Sequence, residues 1–248
     1  MLTNKEQRRY SRQIMLKNMG EPGQIALSNA KVLIVGIGGL GNPVSMYLAA
    51  AGVGTLYLAD GDTIEITNLP RQLLFNEDDI NQNKAEVAAE KLQQQNPEVT
   101  IEVIDERLDK ELCDYYVSQV DCVLDCSDNI TTRYLINQSC VDQKVPLIIG
   151  AATGFDGQQL LVDSRDDSSA CYQCLFPITE KAPANNCQTI GIAGPVLAII
   201  GGMQALQTIK LLTGNKVHIN QVNLFDGLAN QWQQFRLQKQ KNCPVCKS

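Results

Sequence analysis

Residues 31–62, KVLIVGIGGLGNPVSMYLAAAGVGTLYLADGD, constrain the fold of this 248-residue chain more than any other stretch. Val32–Val35 is a short apolar run of the kind that forms a strand buried on both faces. Gly36, Gly38 and Gly41 then give G-x-G-x-x-G, and Gly39 adds a fourth glycine. Glycines here permit a tight turn and let backbone N–H groups approach a phosphate unobstructed by Cβ. A small-residue helix over Asn42–Ala51 follows, and its N-terminal N–H groups and dipole favour an anion. Gly52 and Gly54 end it, Thr55–Ala59 reads as a second strand, and Asp60 stands at its tip. This is one βαβ mononucleotide unit with an acid placed to accept hydrogen bonds from a ribose. The motif alone does not choose between NAD, FAD and ATP.

Composition narrows the choice of partner. A formal charge of −6 argues against a nucleic-acid backbone. A local basic pocket is still expected from Arg8, Arg9, Arg12, Arg71 and Lys84, all near the glycine motif in sequence. The N-terminus, MLTNKEQRRYSRQ, lacks the apolar core of a signal peptide. The longest apolar stretch, Gly191–Met203, contains Pro195 and stops at Gln204, too short to cross a bilayer. The reading is a cytoplasmic globular protein without a membrane partner. The one histidine, His218, lies in the polar connection Lys216–Asn220, which argues against histidine acid–base chemistry.

Along the chain, Leu2–Met19 reads as one or two helices, broken by Gly20–Gly23. Thr67–Gln72 is polar, with little periodicity, and follows the second strand, so it falls where α/β proteins bind ligands. Helices are expected over Lys84–Gln95, Lys110–Gln119, Thr131–Gln143 and Gly191–Leu212. Strands are expected over Val99–Ile104, Asp121–Asp125, Pro146–Ala152, Gln221–Phe225 and Gln231–Leu237, and Gly157–Val162 pairs antiparallel to its predecessor. Asp163–Ile190 reads as irregular. The fold class is α/β, a Rossmann-like mostly parallel sheet continuing into antiparallel strands.

Nine cysteines in such a chain call for a use other than disulfides. Four form two C-x-x-C pairs, Cys171/Cys174 and Cys243/Cys246, which suit a structural tetrahedral Zn²⁺ with no open position for substrate. It would staple the C-terminal tail to the long loop. A redox C-x-x-C or unrelated core cysteines are the alternatives. Cys187, between Asn186 and Gln188, is placed as a loop nucleophile is. Cys113, Cys122, Cys126 and Cys140 read as core. Asp128 follows a buried strand as either a Mg²⁺ ligand or a helix cap, a role Asn129 could also fill. Arg71 and Lys84 read either as phosphate ligands or as solvated surface.

Taken together, R-Y-x-R-Q at Arg9–Gln13, G-x-G-G-L-G at Gly36–Gly41, A-G-V-G-x-L-x-L-x-D ending at Asp60, N-L-x-R-Q at Asn68–Gln72, D-C-x-D-N at Asp125–Asn129, C-Y-x-C-L at Cys171–Leu175 and the final C-x-x-C resemble the ThiF/MoeB/HesA family of bacterial ubiquitin-activating-enzyme relatives. The resemblance covers nearly the whole chain. It implies an ATP-dependent adenylyltransferase acting on the C-terminal glycine of a ubiquitin-like sulfur carrier ending in Gly-Gly. By matched motif, Gly36, Gly38, Gly39, Gly41 and Asp60 hold the nucleotide, with Asp60 on the ribose. Asn68, Arg71 and Lys84 contact phosphates, and Asp128 binds Mg²⁺. Arg12 reaches the partner protomer's site in a homodimer. The implied division is a single domain, 1–248, with N-terminal helices (1–30), a nucleotide-binding half (31–150) and a carrier-binding half with the zinc site (151–248). Thr153-Gly154-Phe155, Leu175-Phe176-Pro177 and Gly191–Gly214 resemble the thiamine-pathway branch, where Cys187 matches a cysteine that joins the activated carrier through sulfur. A cysteine desulfurase or persulfide donor is then implied. Pro70 inside N-L-x-R-Q departs from the expected Gln. Other readings are activation of the molybdopterin sulfur carrier, an NAD-dependent oxidoreductase, and a non-catalytic scaffold for a ubiquitin-like fold.

Overall fold

The computed structural model describes residues 1–178 and 191–247. Three short helices, α1 (Asn4–Arg9), α2 (Ser11–Ile14) and α3 (Gly20–Asn29), lead into β1 (Lys31–Val35). Then follow α4 (Gly41–Ala51), β2 (Thr55–Ala59), α5 (Lys84–Gln95), β3 (Thr100–Ile104), α6 (Lys110–Val117), β4 (Cys122–Asp125) and α7 (Ile130–Gln143). The chain continues through β5 (Leu147–Thr153), β6 (Asp156–Val162), α8 (Tyr172–Leu175), α9 (Gly194–Leu212), β7 (Gln221–Asp226) and β8 (Gln231–Arg236). One eight-stranded sheet results, in the order β3-β2-β1-β4-β5-β6-β7-β8. The first five strands in that order are parallel, and β5 through β8 are antiparallel. The α/β class and the change from parallel to antiparallel pairing are therefore as expected.

Alternation along β1 divides the core. Val32 and Ile34 face one layer, with Leu27 of α3, Val44 and Leu48 of α4, Leu92 of α5 and Ile200 of α9. Leu33 and Val35 face the other, with Cys113 and Val117 of α6 and Ile136 and Cys140 of α7. Both faces of the central strands are covered, which is why they read as unbroken apolar runs. Strand order reverses between β1 and β4, so a crevice opens beyond their carboxyl ends, the place where open α/β sheets bind ligands.

Four sequence readings are changed or settled. Gly20–Gly23 does not break the helical region; it begins the ten-residue α3. Gly20 takes φ +60°, and Pro22 falls in the first turn, where a missing N–H leaves no intrahelical bond unmade. Within Asp163–Ile190, read as irregular, Tyr172–Leu175 forms a turn of helix that starts after Cys171 and contains Cys174, while 179–190 lie outside the described residues. Asn129, and not Asp128, caps α7: its side chain accepts from Thr132 N at 2.8 Å. The apolar stretch read as too short for a bilayer belongs to α9, which by length and composition alone could cross one. Here α9 lies on β5, β6 and α4, with Gln204 and Thr208 buried among them.

Candidate nucleotide site and four-cysteine centre

The glycine loop is built by close approach. Gly36 has φ +91°, and a Cβ there would lie 2.8 Å from the Cys126 carbonyl oxygen. A Cβ on Gly41 would lie 1.9 Å from the Gly36 carbonyl oxygen, so α4 can begin directly over the end of β1 only with glycine at that point. Gly41→Ala is expected to lower the melting temperature and the yield of folded protein, measured by thermal melting. Gly38 lies beside Gln72, and Gly39 faces Leu197 of α9. Buried Asn42 then ties the loop to the polar segment after β2: its Nδ2 donates to the Ile37 carbonyl (2.8 Å), and its Oδ1 accepts from Leu74 N (2.8 Å).

Asp60 stands at the end of β2. Its Oδ2 accepts from Ile37 N (2.7 Å) and its Oδ1 from Asp62 N (2.9 Å), which fixes the carboxylate against the glycine loop. Burial pushes its pKa up, against the opposing Lys84 charge and these two backbone bonds. Asn83 links this acid to α5: it donates to the Asp60 carbonyl (3.0 Å) and accepts from Ala85 N (2.8 Å) as the helix cap. Lys84 is thereby set at the first position of α5, buried, with Nζ 3.2 Å from Asp62 Oδ2. Arg107, just beyond β3, binds the other oxygen of Asp62 at 2.9 Å. Partial burial raises Asp62, but the Arg107 hydrogen bond and the Lys84 charge together leave its pKa below the usual value.

Asn68 is buried, and its Oδ1 accepts from Glu65 N (3.1 Å). Arg71 is half-buried and donates to the Thr67 carbonyl (2.8 Å), so both reside in one tight turn. Pro70 is exposed between them, and its side chain takes no part in that turn. Asp128 is exposed at the end of β4, and its charge is felt by both Arg107 and Asp125. The glycine loop, Asp60, Asn68, Arg71, Lys84 and Asp128 thus all lie at one carboxyl edge. Sequence reasoning missed Arg107, Asp62 and Asn42. Only their position, one strand end or one helix turn from the motif, could have marked them.

Arg12 does not join this group in its own chain. It is exposed on α2, and its neighbour Gln13 donates to the carbonyl of Ala51, the last residue of α4 (3.2 Å). Tyr10 lies buried against Gly52 and accepts from Asn96 Nδ2 (2.9 Å). The eleven residues of α4, about 16 Å of helix, separate this end from the glycine loop. Cys187 lies outside the described residues.

Cys171, Cys174, Cys243 and Cys246 are all buried, with their sulfurs within 4.8 Å of one another. Cys171 Sγ lies 3.6 Å from Cys243 Sγ, and Cys174 Sγ lies 3.3 Å from Cys246 Sγ. Both of these approaches join one C-x-x-C motif to the other, so the four sulfurs form one cluster. A Zn–S bond of about 2.3 Å sets tetrahedral sulfur–sulfur edges of about 3.8 Å, so the four sulfurs fit a metal ion. Gln240 N donates to Cys174 Sγ at 3.4 Å, as is usual around a thiolate centre. Cys113, Cys122, Cys126 and Cys140 are buried in the core, as expected.

Comparison with known proteins agrees with this geometry. The chain is 44% identical over 238 residues to the sulfur carrier protein ThiS adenylyltransferase of Escherichia coli K12, covering 96% of this chain and 94% of that protein. It is 42% identical over 251 residues to the adenylyltransferase and sulfurtransferase MOCS3 of Drosophila willistoni, of which it spans 55%. Among solved structures, E. coli MccB with ATP superposes with a TM-score of 0.81 at 27% identity, over 96% of this chain and 73% of that one. The model of the ThiF family matches residues 10–245, and with this match the chain belongs to the ThiF family.

Proposed function

We propose that this protein adenylates the C-terminal glycine carboxylate of a ubiquitin-like sulfur carrier of the ThiS type, with ATP as the adenylyl donor. One observation carries the reading: an acid, two cations and a glycine loop converge on the carboxyl edge of a chain that matches a ThiS adenylyltransferase over nearly its full length. One carboxylate oxygen bonds to the α-phosphorus of ATP, the bond to the bridging oxygen breaks, and the electron pair leaves on pyrophosphate. No general base is needed, because a carboxylate is already ionised near neutral pH. The exposed His218 on a connecting segment is consistent with that economy.

Gly36, Gly38, Gly39 and Gly41 receive the phosphates, and Asp60 the ribose. Asn68, Arg71 and Lys84 contact the phosphates, and the two cations neutralise their charge, for which Lys84 exchanges Asp62 for the nucleotide. Asp128 is the residue that would hold Mg²⁺, whose charge screens the anionic nucleophile from the triphosphate. Arg12 acts across a homodimer, a reading supported by its distance from its own loop and by the exposed apolar Met15 and Leu16 beside it. The four cysteines hold Zn²⁺ as a structural centre in the carrier-binding half, 151–248. The sulfur donor is a cysteine desulfurase or persulfide carrier, and the protein works in the cytoplasm.

Cys187 acts after adenylation, in sulfur transfer. Cys187→Ala is therefore expected to leave ATP–pyrophosphate exchange within about twofold of wild type, while sulfur delivery to the carrier is lost. Loss of exchange in that variant contradicts this division of labour. The reading as a whole is tested by exchange with a carrier whose terminal glycine is removed: exchange is expected to require the intact Gly-Gly end and Mg²⁺. A second reading, activation of the molybdopterin-pathway carrier, comes from the family resemblance; the 42% likeness to an adenylyltransferase and sulfurtransferase shows that the relatives are not confined to ThiS adenylyltransferases.

A further inference from the structure

Arg133, in the first turn of α7, is charged and buried. Its Nη2 donates to the Ser127 carbonyl at 2.7 Å and to the Gly150 carbonyl at 3.0 Å. Its Nε faces Asp125 Oδ2 at 3.8 Å. Asp125 is fully buried: its Oδ1 accepts from Ser127 N (2.9 Å) and Ser127 Oγ (2.6 Å), and its Oδ2 takes no hydrogen bond among the described residues. Ser127 is therefore held through its N–H, its hydroxyl and its carbonyl, immediately before Asp128. Gly150, at the other end of the bridge, is fixed in β5 and packs against Gln204, whose Nε2 donates to the Asp125 carbonyl (3.0 Å).

A buried ion pair of this kind is weak as a source of stability, because desolvation offsets the attraction. Its consequence is geometric and electrostatic. Asp125 ends β4 and Asp128 lies three residues on; burial and the Asp128 charge push the Asp125 pKa up, and the facing Arg133 guanidinium opposes that shift. We propose that Arg133, paired with Asp125, is a positioning residue: it clamps Ser127 to β5 and so aims the Asp128 carboxylate at the Mg²⁺ of the bound nucleotide. The inference rests on the reading of Asp128 as the Mg²⁺ ligand. Arg133 is buried and acts through Ser127 and Asp128.

The test is equilibrium binding of a non-hydrolysable ATP analogue, followed by calorimetry across a Mg²⁺ titration on the full zinc-loaded chain. Arg133→Met is expected to raise the half-saturating Mg²⁺ concentration about tenfold or more, in line with the loss of a partner that orients a metal ligand. Because that variant leaves Asp125 uncompensated and can unfold, Asp125→Asn combined with Arg133→Met removes the orphaned charge and is expected to fold with the same Mg²⁺ shift. Arg133→Lys, with the charge but not the paired donors, is expected to fall between. Leu27→Ala, a core truncation at the opposite edge of the sheet, lowers the melting temperature and leaves the Mg²⁺ midpoint unchanged. A folded double variant, or Arg133→Lys, with the wild-type midpoint overturns the inference. If Asp128→Ala does not move the midpoint, the Mg²⁺ reading itself fails and the inference falls with it; if Asp128→Ala shifts it and the Arg133 variants do not, only the inference falls.

Discussion

Asp128→Ala and Arg71→Ala are each expected to reduce carrier-dependent ATP–pyrophosphate exchange by about 10²–10³-fold or more, the range for removing one preorganised charge-stabilising group. The nucleophile and the phosphate it attacks are both anions, so their approach is limited by repulsion that only cations can relieve. Lys84 and Arg71 enter from one side of the crevice and Asp128 from the other, beyond β4. Lys84 is held by α5 and Asp62, and Arg71 by the turn at Thr67, so neither can take over the place of the other. The two substitutions should differ in detail. Asp128→Ala shifts the Mg²⁺ dependence of exchange, whereas Arg71→Ala lowers the rate at saturating Mg²⁺. Exposed Asp128 and half-buried Arg71 carry little packing, so both variants are expected to fold and melt near the wild-type temperature. Unchanged exchange in either folded variant removes that residue from the mechanism.

Cys243→Ser is expected to lose about one equivalent of zinc per chain, with a large fall in stability of the C-terminal region. A structural Zn²⁺ contributes on the order of 10–16 kcal/mol of apparent binding free energy at neutral pH, and that energy is coupled to folding of the elements it joins. Here it would join α8 to residues 243–246, whose Val245 packs on the same apolar cluster as the four cysteines. Residues 238–247 contain no strand or α-helix, so the ladder hydrogen bonds that hold β8 do not extend to the tail. Metal analysis reports the first effect, and limited proteolysis near residue 238 the second. Full zinc content in the variant contradicts the four-ligand site. Substituting Cys113, buried among apolar neighbours and outside the cluster, should leave zinc content unchanged.

The central half of the fold was legible because its signals are local and agree with one another. Val32–Val35 and Thr55–Ala59 are buried apolar runs, the glycines between them fit one turn, and Asn83 caps a helix at the predicted Lys84. The helix α3 was hidden by a local conflict, since G-E-P-G reads as a breaker until the first-turn position of Pro22 is known. The C-x-x-C pairs announced a cluster able to hold a metal, but the approach of Cys171 to Cys243 and of Cys174 to Cys246 is a tertiary fact. Arg107 and Arg133 look like ordinary surface cations in sequence. Their contacts come from a carboxylate after β2 and from carbonyls just after β4 and within β5, which no spacing rule encodes. Tyr10 illustrates the same limit: one motif tyrosine secures the N-terminal helices by packing on Gly52, while Arg12, two residues later, is exposed on α2.

The most direct test of the account is ATP–pyrophosphate exchange measured side by side with a thiamine-pathway carrier and a molybdopterin-pathway carrier, both ending in Gly-Gly, with NAD binding followed in parallel. The account predicts Mg²⁺-dependent exchange with the thiamine-pathway carrier, lower exchange with the other, and no tight binding of NAD. Absence of exchange with every such carrier, together with tight NAD binding, contradicts it.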